Sequence, residues 1–202
     1  MKPLTSVLLA GCLLVPGVAL AAPMAASTGA PAADSFSYST LEVNRLGVHT
    51  DFFADRSSGN GLKFSYDTPE GVYVFGQWNH LDFSSGPGSH NLYGAGIGAH
   101  QAFNEQTSFY IDAAFMRDQL DGKLGGGVDN FWRVNYGFRY HATSLIELDG
   151  AIFTERSTDF GRRPFGEHLG LGLDFSVITL LVAGEHTADG NRTEISLAWS
   201  YR

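Results

Sequence analysis

The chain has a single cysteine, Cys12, among 202 residues. An intramolecular disulfide is therefore excluded, and so is a zinc site built from several thiolates. Lysine is almost as scarce, with Lys2, Lys63 and Lys123 the only three. Thirteen Lys and Arg stand against 21 Asp and Glu, a formal charge of −8. That balance excludes the broad attraction to phosphate on which nucleic-acid binding depends. Beyond residue 21 no apolar run reaches the roughly 18 residues of a helical membrane span. The longest there is Val177–Gly184. There is no His-Glu-x-x-His pattern. Gly94-Ala95-Gly96-Ile97-Gly98 has the wrong spacing for a dinucleotide loop. Asp118, Asp121 and Asp129 do not match the spacing of an EF-hand. No motif calls for a metal or a cofactor.

What the chain does have is glycine, at 25 residues, and aromatics, at 13%. Mean hydropathy is −0.06, a value that averages over any two-faced element and conceals its apolar face. The face is exposed by reading Phe131 to Tyr140 in steps of two. Trp132, Val134, Tyr136, Phe138 and Tyr140 form one set, and Arg133, Asn135, Gly137 and Arg139 the other. Strand side chains alternate between faces, so this segment is a strand with one aromatic face and one polar face. Its length, about ten residues, is that of a tilted transmembrane β-strand.

The N-terminal 21 residues read as a secretory signal: Lys2, an apolar stretch from Leu4 to Leu20, and the small-residue pattern Ala19-Leu20-Ala21. Leu9-Ala10-Gly11-Cys12 also resembles a lipoprotein box, although the apolar run before Cys12 is short and continues through Val15. Residues 22–35, rich in Ala, Pro and Ser, have nothing to bury and read as a disordered linker.

From residue 36 to 202 the alternation recurs. The strands expected are Phe36–Val48, Leu62–Asp67, Val72–Asp82, Leu92–Ala102, Ser108–Arg117, Phe131–Tyr140, Leu145–Arg156, Glu167–Phe175, Val177–His186 and Arg192–Arg202. Short connections fall near Thr68, Asn104, Thr143 and Ser176, and longer ones near Arg56, Gly86, Gly126, Gly161 and Asp189. About ten strands, an even number, with short and longer connections in alternation, describe an all-β, antiparallel, up-and-down transmembrane barrel with both termini in the periplasm. Trp78, Trp132, Tyr140, Trp199 and Tyr201 sit toward strand ends, where membrane-interface aromatics belong. A soluble β-sandwich also alternates. Its outer face would be a lysine-rich solvated one, and here the polar face is rich in glycine and mixed charge.

The signal, the repeated strands and the ending Ile195-Ser196-Leu197-Ala198-Trp199-Ser200-Tyr201-Arg202 resemble a Gram-negative outer-membrane β-barrel. Within that class the chain is similar to small gammaproteobacterial outer-membrane barrels of unassigned function. The resemblance implies contact with outer-membrane lipid and lipopolysaccharide, and delivery by the barrel-assembly machinery. Such chains usually end on an aromatic residue, whereas this one ends on Arg202 after Tyr201.

With the aromatic face toward lipid, the polar face lines the lumen. That face carries a charge network of Arg133, Arg139, Glu147, Asp149, His168, Asp174 and Glu185, together with Glu42, Lys63, Gln77, His100, Asp112 and Glu194. Mixed charges in a poorly hydrated lumen must pair, which makes a structural core the first reading. A narrow pore for cationic solutes and a barrel hydrolase are the others. For the hydrolase, His80-Leu81-Asp82 with Ser84 and Ser85 supplies the residue types of a nucleophile and its base. Arg45, Arg56, Arg117, Arg156, Arg162, Arg163 and Arg192 fall near the outer strand ends, where ordinary solvated charge is the first reading and contact with lipopolysaccharide phosphates the sharper one. Taking Ala142-Thr143-Ser144 as a three-residue turn sets Arg139 opposite Glu147, with Asp149 on the diagonal and Tyr136 over Gly150.

Overall fold

The structure, a computed structural model, describes residues 36–50, 55–84, 88–122, 126–158, 165–188 and 190–201. The signal and linker expected over 1–35 lie outside them, as do Ser85, Arg162 and Arg163. Ten strands follow in chain order: β1 Thr40–Thr50, β2 Asp55–Asp67, β3 Val72–Phe83, β4 Gly88–Asn104, β5 Thr107–Gly122, β6 Gly127–His141, β7 Ile146–Ser157, β8 Phe165–Asp174, β9 Ile178–Thr187 and β10 Gly190–Ser200. Each pairs antiparallel with its sequence neighbour, and β1 pairs with β10 to close the barrel. Closure leaves no edge, so every strand finds its backbone partners within the wall, as hydrocarbon surroundings demand.

The alternation read from the sequence is the alternation of the wall. Leu41, Val74, Ile97, Ile111, Tyr136, Ile152, Leu171, Val182 and Leu197 all project outward and stay exposed, as does Leu169 at 67%. A soluble protein would not leave so large a contiguous apolar surface uncovered. Thr40 pairs with Ser200, so the start and finish of the barrel share one end. The connections at that end are 68–71, 105–106, 142–145 and 175–177. Those at the other end are 51–54, 84–87, 123–126, 158–164 and 188–189. Only 158–164 is long, so the expected contrast in connection length is largely absent. The reason is strand extension: Ser57, Ser58, Gly59 and Asn60 continue β2 against β1 and β3. Backbone pairing needs no apolar side chain, so the ladder outruns the apolar belt.

Two further expectations are corrected. Phe36–Ser39 does not begin β1. It folds inward, with Phe36 and Tyr38 buried against Tyr73. The β6–β7 register is shifted by two residues: His141 pairs with Glu147, Arg139 with Asp149, Phe138 with Gly150 and Tyr136 with Ile152. The Thr143 hydroxyl accepts from the amides of Leu145 and Ile146, at 3.2 and 3.1 Å, and holds a wider turn than three residues. Phe138, not Tyr136, therefore covers Gly150. A two-residue shift preserves the faces, so β6 still presents its aromatic side to lipid and β7 its aliphatic side, Ile146, Leu148 and Ile152.

Candidate functional site

The lumen is filled by a division of labour between odd and even strands. Lumen-facing glycines cluster on even strands: Gly59 and Gly61 on β2, Gly94, Gly96 and Gly98 on β4, Gly137 on β6, and Gly166, Gly170 and Gly172 on β8. The odd strands supply bulk that lies across them. Tyr73 covers Gly98, Phe75 covers Gly96, Tyr110 covers Gly137 and Phe153 covers Gly166, each from the directly paired position. A Cβ on any of these glycines would collide with the ring. Phe153 is consequently 1% exposed although it points into the lumen. This is aromatic cover of glycine, which also pins strand register.

Between these layers run the charges. Arg133 donates from Nη2 to Glu185 at 2.7 Å, approaches Glu155 at 3.4 Å and donates from Nε to Asn135 at 3.0 Å. Its guanidinium stacks on Phe153, 3.7 Å from the ring centroid. Arg192 bonds Glu194 at 3.0 Å and approaches Glu185 at 3.9 Å. Lys63 sits between Glu194 and Glu42. His168 lies 3.7 Å from both Asp149 and Glu185. Tyr110 donates to Asp149 at 3.2 Å, and Tyr73 to Asp112 at 3.0 Å. Arg139 grips Glu147 with two bonds, 2.7 Å from Nε and 3.0 Å from Nη2. Arg192, expected among the outer-rim arginines, is corrected here. Its even position on β10 turns it inward, into this network.

At the shared end of the termini the lumen is stoppered. Arg139 Nη1 donates to the Ser37 carbonyl at 2.8 Å, and the same guanidinium lies 5.0 Å from the rings of both Phe36 and Tyr38. Phe36 stacks on His141 at 4.1 Å, and Tyr38 on His100 at 3.9 Å. His100 in turn meets Asp67 at 3.0 Å, and the Tyr38 hydroxyl donates to Ser108. His141 gathers Glu147 at 3.4 Å and Asp174 at 3.8 Å. Above the stopper two adjoining cavities of about 190 and 240 Å³ share Thr40, Glu42, Ser65, Tyr73 and Tyr110 in their walls. The stopper has one signal in the sequence, the aromatics Phe36 and Tyr38 ahead of the first clean alternation. Alternation alone does not distinguish an inward fold from an early strand.

The other sequence candidates are dispersed. His80 is 3.4 Å from Asp82 on the outer face, while Leu81 between them is buried in the lumen. His80 Nδ1 is also held by Asn91 at 2.9 Å. Asp118 pairs with His90 at 2.7 Å and stands directly opposite Asp129, which accepts from Ser157, while Asp121 lies apart, opposite Ser89. Trp78, Trp132, Tyr140 and Trp199 are exposed on the outer face. Tyr201 stacks on Phe64 and donates to the Ser65 carbonyl. Arg117 and Arg156 project outward and exposed at the far end of the belt, Arg156 paired with Trp132 across the ladder.

No protein-family model matches the chain. No curated protein sequence matches it either. Solved structures do. The NanC porin aligns over 80% of this chain and 100% of its own, at 11% identity and a TM-score of 0.54. The KdgM porin aligns over 81% and 99%, at 8% identity and 0.48. The translocator domain of the autotransporter NalP from Neisseria meningitidis aligns over 84% and 90%, at 9% identity and 0.48. At such identities the likeness is one of fold: the chain has the fold of the outer-membrane β-barrels.

Proposed function

We propose that this protein is an integral outer-membrane barrel with a structural or surface-interaction role, not a catalyst and not an open pore. One observation carries the reading: Phe36 and Tyr38 stopper the lumen while Arg133, Arg139, Arg192 and Lys63 are each committed to carboxylates inside it. Cations paired in this way are spent inside the wall and are less available to a passing solute. The exposed His80 and Asp82 lack the enclosed, water-excluding setting that a hydrolytic pair needs.

In this reading the end that holds Thr40 and Ser200 faces the periplasm and the signal has been removed. Arg117 and Arg156, exposed beside Trp132, meet lipopolysaccharide phosphates. Tyr201 and the last outward-facing residues of β10 supply what the barrel-assembly machinery reads. Planar-bilayer recording on the refolded full chain tests the proposal. A silent membrane with a properly folded barrel is the expected result. Reproducible, cation-selective steps would replace it with the narrow-pore alternative, the reading to which the acidic excess of the lumen lends itself.

A further inference from the structure

We propose that the stoppered end of the lumen is a binding site for one divalent transition-metal ion of the zinc type, held by His141, Glu147 and Asp174. The β6–β7 register puts His141 directly opposite Glu147. Asp174 follows from the β7–β8 register, where Glu147 faces Gly172 and Asp174 stands two residues on, its amide bonded to the Leu145 carbonyl. Three consecutive strands thus deliver three ligands to one place. Their ligand atoms all lie within 4.8 Å of one another, with Nε2 of His141 3.4 Å from Glu147 and 3.8 Å from Asp174.

The His141–Glu147 separation is what a tetrahedral ion would ask for. Bonds of about 2.0–2.1 Å to nitrogen and oxygen set neighbouring ligand atoms about 3.3–3.4 Å apart. Asp174, 3.8 Å from the imidazole nitrogen, has to draw in toward the other two ligands. Its Oδ1 is buried without a hydrogen-bond partner, so it has an acceptor position unspent. One imidazole and two carboxylates suit zinc, cobalt or nickel better than calcium or magnesium, which prefer all-oxygen sets.

The surroundings resemble the outer shell of a metal site. Arg139 bonds both oxygens of Glu147 and so fixes its carboxylate, as hydrogen-bonded supports do for ligating carboxylates. Phe36 stacks on His141 and fixes the ring plane. With the ion bound, its two positive charges balance Glu147 and Asp174. The ion would tie β6, β7 and β8 together under the Phe36 stopper, so it is a structural centre with its fourth position left for water.

The test uses the full chain refolded into vesicles after chelation. Cobalt(II) is added and its visible ligand-field bands are followed, then zinc is added in competition and bound metal is counted. One ion per barrel and intense tetrahedral bands are expected. Asp174→Asn keeps size and shape, and should weaken binding by more than about 100-fold, beyond the 10–100-fold typical of supporting residues. His141→Ala should abolish the bands. His186→Ala, on the outer face, should leave both intact, and bound zinc should raise the temperature at which the folded band disappears in SDS. Substoichiometric metal in the parent barrel, or binding unchanged by Asp174→Asn, overturns the proposal. Neither result depends on whether the lumen conducts.

Discussion

Arg139 stands directly opposite Asp149 on the β6–β7 ladder, yet its guanidinium reaches past Asp149 to take both oxygens of Glu147. The diagonal wins because it allows two parallel charge-assisted bonds, and because Asp149 is already occupied by Tyr110 and His168. Arg139→Met should therefore strand a carboxylate that is 7% exposed, at a cost of roughly 3–5 kcal/mol. The double variant Arg139→Met/Glu147→Gln should cost less than Arg139→Met alone. Refolding equilibria in urea on the four proteins of the cycle measure the coupling. A coupling near zero would remove the pair from the barrel's stability.

The outer face is tested at Leu171, which lies between Leu148 and Val182 on the exposed wall. Leu171→Arg places a charge in the apolar belt and should cost roughly 2–4 kcal/mol of folding into lipid. Detergent solutions should tolerate it better than thick bilayers do. Equal refolding yields in both media would contradict the assignment of faces.

Gly166 and Gly76 make a matched pair of glycines. Alanine at Gly166 would run into the Phe153 ring and sit 2.8 Å from the His186 carbonyl oxygen, with roughly 1–3 kcal/mol lost to overpacking. Alanine at Gly76, on the outer face, meets nothing nearer than 3.7 Å and should fall within about 0.5 kcal/mol of the parent. Chemical unfolding of the two variants side by side reads the difference. If they behave alike, aromatic cover does not set the lumenal packing.

Orientation in the membrane is read by cysteine labelling in a Cys12→Ser background. Gly127→Cys has open space around it at the end away from the termini. It should react with an impermeant maleimide on intact cells. Thr143→Cys, at the turn end, should react only after the outer membrane is breached. The reverse pattern would invert the topology.

The stopper can be loosened without touching the wall. Tyr38→Ala removes the stack on His100 and the bond to Ser108, but no ladder pairing. The variant should keep the slow-migrating folded band on unboiled gels and show conductance events that the parent lacks. A silent Tyr38→Ala barrel would mean that the lumen is sealed by its own packing and not by the stopper.

Alternation makes the wall legible in the sequence itself. A strand such as β6, with Trp132, Tyr136 and Phe138 against Arg133 and Arg139, admits one reading of its faces. From there lumenal membership follows for Lys63, Glu185 and Glu194 without knowledge of their partners. Register is not legible to the same degree. Shifting β6 against β7 by two residues exchanges every partner but no face, so only the turn can decide, and Thr143 widens that turn through its own hydroxyl. Partners three strands apart, such as Arg133 on β6 and Glu185 on β9, depend on tilt and lumen width, which no local pattern records. Arg192 differs, since it stands two residues before the lumenal Glu194 and the same alternation, carried to the strand end, turns it inward.

The stopper also has a place in time. Phe36 and Tyr38 precede every strand in synthesis, yet they rest on Tyr73, His100, Tyr110 and His141, which arrive with β3 to β6. The earliest residues of the barrel unit are thus among the last to find their places. Until the middle hairpins are assembled, two large aromatic side chains stay uncovered. Completion of the lumen, not closure of the β1–β10 seam, is then the event that covers them.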